Sequence, residues 1–208
     1  MDTVKPTRSA LIELKKKVEI AKSGHHLLEK KRDGLVQEFF DVLEDTRERR
    51  EKLRKRYAAA KQKLDIARAL HSDHELEALS LAILSAPGIT LAQENIMGTR
   101  VPRIESRGMV KPLLDRGYGL LRVEQSVNDA CRAYEELMED ILRVAEAETA
   151  TRRLTEEIGK TKRRVNALEY EIIPALEKRK QDIMMRLDEI ERESIFRQKM
   201  IKRKRRKG

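Results

Sequence analysis

The chain of 208 residues carries 46 Lys and Arg against 36 Asp and Glu, so 39% of it is charged, compared with about 25% in an ordinary globular domain. Three Phe, four Tyr and no Trp exclude a compact core built on aromatic rings. The hydrophobic 39% is ordered periodically, which excludes general disorder and points to long helices.

The first predicted element is a long N-terminal helix. Its apolar seam alternates steps of three and four: Leu11, Leu14, Val18, Ala21, His25, Leu28, Arg32, Leu35, Phe39, Val42, Thr46, Arg49, Leu53, Arg56, Ala60. The pattern is then expected to slip by one residue and continue through Tyr57, Leu64 and Ala67. A sustained 3.5-residue repeat is the mark of a coiled-coil seam. The polar members His25, Arg32, Arg49 and Arg56 weaken such a seam while fixing its register.

A broken middle follows. Five of the nine glycines and three of the five prolines fall between Pro87 and Gly119. Gly and Pro are the strongest local punctuation. A short helix is predicted from Glu75 to Ser85. Two short strands, Ile89 to Gln93 and Thr99 to Ile104, flank Asn95-Ile96-Met97-Gly98, a hairpin pattern with a glycine turn. Pro102 suits an edge strand better than a central one.

The C-terminal arm resumes the helical stripe through Leu120, Val123, Val127, Ala130, Tyr134, Leu137, Ile141 and Val144. After phase shifts it continues at Leu154, Ile158, Thr161, Val165, Leu168 and Ile172, then Leu176, Ile183, Leu187 and Ile190. Pro174 lies inside it and is expected to bend the helix, because proline lacks the amide proton. The expected organisation is an N-terminal arm over 1–74, a short helix and hairpin over 75–117, and a C-terminal arm over 118–208. Neither arm can bury its stripe alone. The fold class is therefore all-α, a long antiparallel two-helix coiled coil with a short helix and a β-hairpin in the middle.

The net charge of +10 is localised. From Ile195 onward there are eight basic and no acidic residues, and the remainder holds 38 basic against 36 acidic. A nucleic-acid-binding body would carry a basic face with stacking aromatics, and this pattern has neither. A nucleic-acid-binding or scaffold coiled coil that uses the basic tail is the competing reading. The longest apolar run, Ala78 to Ala86, is nine residues with two serines, short of the ~20 that span a bilayer. No apolar stretch follows Lys5 and Arg8, so no secretory signal is expected. The single Cys131 cannot form an internal disulfide, and a reducing cytoplasm is the expected compartment.

Candidate chemistry is sparse. Gly159-Lys160-Thr161 imitates the end of a phosphate-binding loop, but Leu154 stands where the pattern needs glycine and the segment is helical. His71 and His74, with Asp73 and Glu75, supply too few ligands for a structural zinc site. Cys131 flanks the seam as a small packing residue, with no His–acid pair around it. Carboxylates alternate with Lys and Arg at helical spacing, as in Glu44, Arg47, Glu48, Glu51 and Lys52, which is an ion-paired solvated face. No catalytic residue, cofactor or metal is expected. The residues alone point to a non-enzymatic antiparallel coiled coil that binds proteins.

Several segments resemble the D subunit of the V-type and A-type ATPases, in an archaeal or bacterial form. They are Val4 to Leu11 with Leu14-Lys15, the stretch Gly24 to Leu35, Asn95-Ile96-Met97-Gly98 through Val101-Pro102, and Arg164-Val165-Asn166-Ala167-Leu168-Glu169-Tyr170 with Ile173-Pro174. The matches run in order over nearly the whole chain. The resemblance implies a central rotor shaft that transmits torque between a membrane rotor and a hexamer of catalytic A and B subunits. It implies further contacts with the F and C subunits of the stalk, a peripheral place on the cytoplasmic face of the membrane, no direct membrane insertion and no nucleic acid. On that reading Arg8, Lys15, Lys199, Lys202 and Arg203 are expected to face the hexamer, because antiparallel arms bring residues 5–20 beside residues 185–205. Ile89, Asn95, Met97, Val101 and Ile104 of the hairpin are expected near the F subunit or the lower stalk.

Overall fold

The computed structural model describes residues 7–81, 88–112, 116 and 124–206. Its elements are α1 (Arg8–Leu70), α2 (Asp73–Leu81), β1 (Gly88–Ile96), β2 (Thr99–Arg107), α3 (Gln125–Ala167), a π turn (Leu168–Ile172) and α4 (Ile173–Arg205). Long helices dominate and a two-stranded hairpin interrupts them. Of the predicted short helix, residues 82–85 lie outside the described residues, as do Leu120 and Val123 of the C-terminal stripe.

The helix starts have local causes. Thr7 Oγ1 accepts a hydrogen bond from the Ala10 amide at 3.2 Å, an N-cap for α1. Ser72 and Glu75 form a reciprocal capping box at α2: the Ser72 amide donates to the Glu75 carboxylate at 3.1 Å, and the Glu75 amide donates to Ser72 Oγ at 3.4 Å.

The chain divides into two compact units, Met1–Asp33 with Ile158–Gly208, and Gly34–Glu157. In the first unit, α1 runs antiparallel to the end of α3 and to α4. Close contacts mark successive levels: the ion pairs Arg8 with Glu191 at 3.8 Å and Lys22 with Glu177 at 2.6 Å, and then the His25 ring 3.8 Å from the Glu169 carboxylate. As the residue number rises on α1 it falls on the partner. The seam of this unit buries Leu14, Val18, Thr161, Val165 and Ile183.

In the second unit α1 runs antiparallel to α3. Thr46 and Thr151 hydroxyls meet at 3.3 Å, Arg50 pairs with Glu148 at 2.7 Å, and Arg56 pairs with Asp140 at 2.5 Å. Leu35, Ala60 and Ala67 of α1 and Val127, Ala130, Leu137, Val144, Ala147, Ala150 and Leu154 of α3 are buried. Leu35 and Leu154 have no exposed surface. Burying a leucine this fully contributes about 1.5–3 kcal/mol, so these two positions anchor the unit.

Three details differ from the sequence reading. The expected one-residue slip occurs between Ala60 and Leu64, a second consecutive step of four, but Tyr57 is not on the seam. Tyr57 is 54% exposed while Ala60 is 1% exposed, so the seam passes through Ala60 and continues at the half-buried Leu64 and the buried Ala67. Arg56 keeps its place because it meets a carboxylate across the seam. On α3, Asp140 and not Ile141 takes the seam position. The expected phase break between Val144 and Leu154 is filled by Ala147 and Ala150, small residues that carry the stripe at low hydrophobic contrast.

Near Pro174 the helix widens into a π turn. The Ile173 amide donates to the Leu168 carbonyl, five residues back. Proline has no amide proton and its ring crowds the carbonyl four residues earlier, so a π turn relieves the clash. The turn holds one extra residue. The inward-facing stripe therefore steps from Leu168 to Ile173, leaving Ile172 43% exposed.

Candidate interaction surfaces

The hairpin pairs Ile96 with Thr99 around a two-residue turn, Met97-Gly98, and continues to Gly88 with Arg107. Both turn residues have positive φ, 49° at Met97 and 84° at Gly98, the mirror-image geometry that matches strand twist. Pro102 faces away from β1 in this register, so its missing amide costs the ladder nothing. The Ile104 amide also points outward and donates to the Glu146 carboxylate of α3 at 2.9 Å. After β2, the Lys111 amide donates to Glu135 at 3.3 Å. Carboxylates of α3 thus satisfy the outer edge of β2 and the segment beyond it.

The five hairpin residues separate into two groups. Ile89 and Met97 are 49% and 47% exposed, and Asn95 is exposed. Val101 is 4% exposed and Ile104 is half-buried, and in the regular ladder they lie on opposite faces of β2, so each face of the strand is partly covered. β1 is exposed along its length except at Ile96.

The second surface is the end of α4. Every residue from Asp188 to Arg206 is exposed. Ile190, Ile195, Phe196, Met200 and Ile201 lie among Lys199, Lys202, Arg203, Lys204 and Arg205. The four basic residues of the last turn suit the negative end of the helix dipole. Arg197 pairs with Glu193 at 3.0 Å, and no acidic residue follows Glu193. Arg8 and Lys15 are exposed on α1, Arg8 at 3.8 Å from Glu191. Arg8 is therefore placed beside α4 as the antiparallel argument expects. A little further along, a hydrogen bond from Lys22 holds the Glu177 carboxyl below its ordinary pKa.

A third surface has no counterpart in the sequence pattern. An open groove of about 860 Å³ lies among α1, α2 and α3, with Leu64, Ala67, Leu76, Leu79, Val127 and Ala130 along its floor. Cys131 packs against the buried cluster of Ala67, Val127 and Ala130, in the small-residue role expected of it. The groove is not legible in the sequence because three separate segments build it. Its only local signal is the small helix after α1.

The remaining candidates resolve plainly. Gly159-Lys160-Thr161 lies inside α3, and Thr161 is 1% exposed in the seam, so no phosphate loop exists there. His71 lies between Glu75 at 3.7 Å and Glu124 at 3.5 Å, and no metal-binding cluster occurs among the described residues. No described helix is long and apolar enough to cross a membrane.

These features define a class: an antiparallel helical coiled coil, paired through ion pairs at successive levels, that presents a cationic apolar helix end and a side hairpin. The profile of the ATP synthase D-subunit family matches residues 10–203. The A-type ATP synthase D subunit of Methanococcoides burtonii is 47% identical over 200 residues, covering 96% of this chain and 97% of that protein. The D subunit of Methanoregula boonei is 44% identical over 199 residues, with 96% and 95% covered. That of Haloquadratum walsbyi is 45% identical over 203 residues, with 98% and 88% covered. The chain belongs to the ATP synthase D-subunit family.

Proposed function

We propose that this chain is the central-stalk component of a rotary A-type ATP synthase and transmits torque between the membrane rotor and a hexamer of A and B subunits. The observation that carries the reading is the antiparallel helix pairing within each unit, α1 with α4 tied at Arg8–Glu191 in one and α1 with α3 tied at Arg56–Asp140 in the other. Twisting such a pair disturbs many packed contacts together, so each pair resists torsion. ATP chemistry belongs to the A–B interfaces, and this chain contributes shape and contact but no catalytic group or cofactor.

The end of α4 is the part that enters the hexamer. Lys199, Lys202, Arg203, Arg8 and Lys15 face its inner lining, with the exposed apolar residues between them as the sliding surface. Their charges are exposed and paired weakly, which suits a part that must turn without locking at one angle. Ile89, Asn95 and Met97 face the F subunit or the lower stalk, while Val101 and Ile104 hold the hairpin. The lower end rests on the C subunit. The three-part organisation over 1–74, 75–117 and 118–208 corresponds to shaft, lower contact region and shaft. A local bend at Pro174 gives the shaft the asymmetry that presents a different face to each catalytic site. The complex is peripheral on the cytoplasmic face of the membrane.

The test is to mix the purified chain with an A–B hexamer, with and without the F subunit, and to weigh the product by native mass spectrometry. One copy per hexamer, with raised nucleotide turnover, is expected. Alanine at Lys202 and Arg203 should weaken assembly, more at low salt than at high salt. An intact hexamer that takes up no chain refutes the reading. Salt-sensitive retention on polyanions, lost on removing residues 197–208, would instead support the nucleic-acid alternative.

A further inference from the structure

Three glycines stand inside the long helices: Gly24, Gly34 and Gly159. A β-carbon added at Gly24 or Gly159 would meet nothing within 4 Å. At Gly34 it would lie 2.5 Å from the terminal methyl of Met97. Glycine weakens a helix interior, so a glycine there calls for a reason, and here the close approach supplies it. The notch left by the missing side chain is filled by the hairpin turn.

Met97 is itself out of place locally. It has φ of 49°, the one non-glycine residue with positive φ among those described. Asn, Asp and Gly favour that position of a mirror-image turn, and methionine does not. Turn chemistry therefore argues against Met97, while the contact at Gly34 argues for it. Two residues that each violate a local rule meet one another.

We propose that Gly34 and Met97 form a latch, and that the hairpin is an arm able to leave the helices without global unfolding. The other described attachments lie on β2: the buried Thr99 and Val101, the half-buried Pro102, Ile104 and Ser106, and the hydrogen bond from Ile104 to Glu146. β1 contributes almost no burial. With the latch open, the buried Thr99 and Val101 become accessible.

Strand pairing and docking can be read separately by amide hydrogen exchange on the full chain. In the observed register the Val101 and Arg103 amides point towards β1 and report pairing. The Ile104 amide points to Glu146 and reports docking. Met97→Asn strengthens the turn and removes the latch. It should leave Val101 and Arg103 protected and speed exchange at Ile104 by about tenfold. Gly34→Ala should act more weakly, because the Met97 methyl ends a flexible side chain and can swing aside. Gly34→Leu should match Met97→Asn. Combining Gly34→Ala with Met97→Ala should recover part of the protection, since the smaller residue at 97 makes room. Gly24→Ala and Gly159→Ala should leave Ile104 unchanged.

Unchanged exchange at Ile104 in both Met97→Asn and Gly34→Leu overturns the proposal. So does a wild-type hairpin whose Ile104 amide exchanges only at the rate of the Leu35 and Leu154 amides, which would tie its opening to global unfolding.

Discussion

Arg56 and Asp140 form the pair whose disruption should reveal how the seam is held. The two partners differ in solvent access: the Asp140 side chain is 9% exposed and that of Arg56 is 45% exposed. Arg56→Ala leaves a nearly buried carboxylate without its cation. Breaking a buried pair in this way costs about 3–5 kcal/mol, and water entering where Arg56 stood brings the expectation to the low end, about 3 kcal/mol. Asp140→Ala leaves a half-exposed guanidinium that water can solvate. Its cost is the loss of one charge-assisted hydrogen bond, about 1.5 kcal/mol. The double variant Arg56→Leu/Asp140→Leu restores an apolar seam and should come within about 1 kcal/mol of the parent, or exceed it. The assay is thermal unfolding followed by far-ultraviolet circular dichroism, closed as a double-mutant cycle. At about 2–4 °C per kcal/mol for a chain of this size, Arg56→Ala should lower Tm by roughly 6–12 °C. An aspartate variant more damaging than the arginine variant would refute the reasoning, because the asymmetry of burial would then not set the cost.

Leu154→Ala removes a side chain with no exposed surface and should cost about 2–5 kcal/mol, whereas Ile190→Ala, at a 52% exposed position, should stay within about 0.5 kcal/mol in the isolated chain. Denaturant titration of both checks this. The α2 cap should be acid-sensitive. Hydrogen bonds from Ser72, chiefly from its backbone amide, hold the Glu75 carboxyl below its ordinary value of 4.5. A carboxyl with a depressed pKa in the folded state adds stability above its unfolded pKa and loses it as pH falls through the folded one. Protection of the α2 amides should therefore be full at neutral pH and decline below about 4.5, and Glu75→Gln should flatten that dependence.

The latch and the proposed stalk role carry separate risks. The latch concerns only how the hairpin attaches within its own unit. It can fail while the chain still assembles with a hexamer, and it can hold if assembly fails. An arm held by the Met97 methyl, the covered residues of β2 and one carboxylate, with β1 almost wholly exposed, has a limited free-energy difference between attached and released states. A partner that binds the released arm could exceed that difference with few contacts.

The periodicity of the sequence by itself determined the helical arms, their need for one another and the hairpin with its edge proline. Steps of three and four at Leu14, Val18 and Leu35, or at Leu137 and Val144, hold whatever the partner is, because a helix places those residues on one face. The cationic end of α4 was legible for a similar reason: it is contiguous in the chain. Only the tertiary structure decided the rest. Asp140 in place of Ile141 on the seam could not be read from α3 alone, since a buried carboxylate is tolerable only where an arginine from another segment meets it. The exposure of Tyr57 beside a buried Ala60 was likewise not readable from α1 alone. The groove beside Cys131 needs three elements at once. The role of Gly34 depends on a methionine more than sixty residues away in the chain, and no local rule connects the two. Short-range geometry is written in residue spacing. Long-range choices among nearly equal seam positions depend on what each side chain meets, and that is settled only when the segments come together.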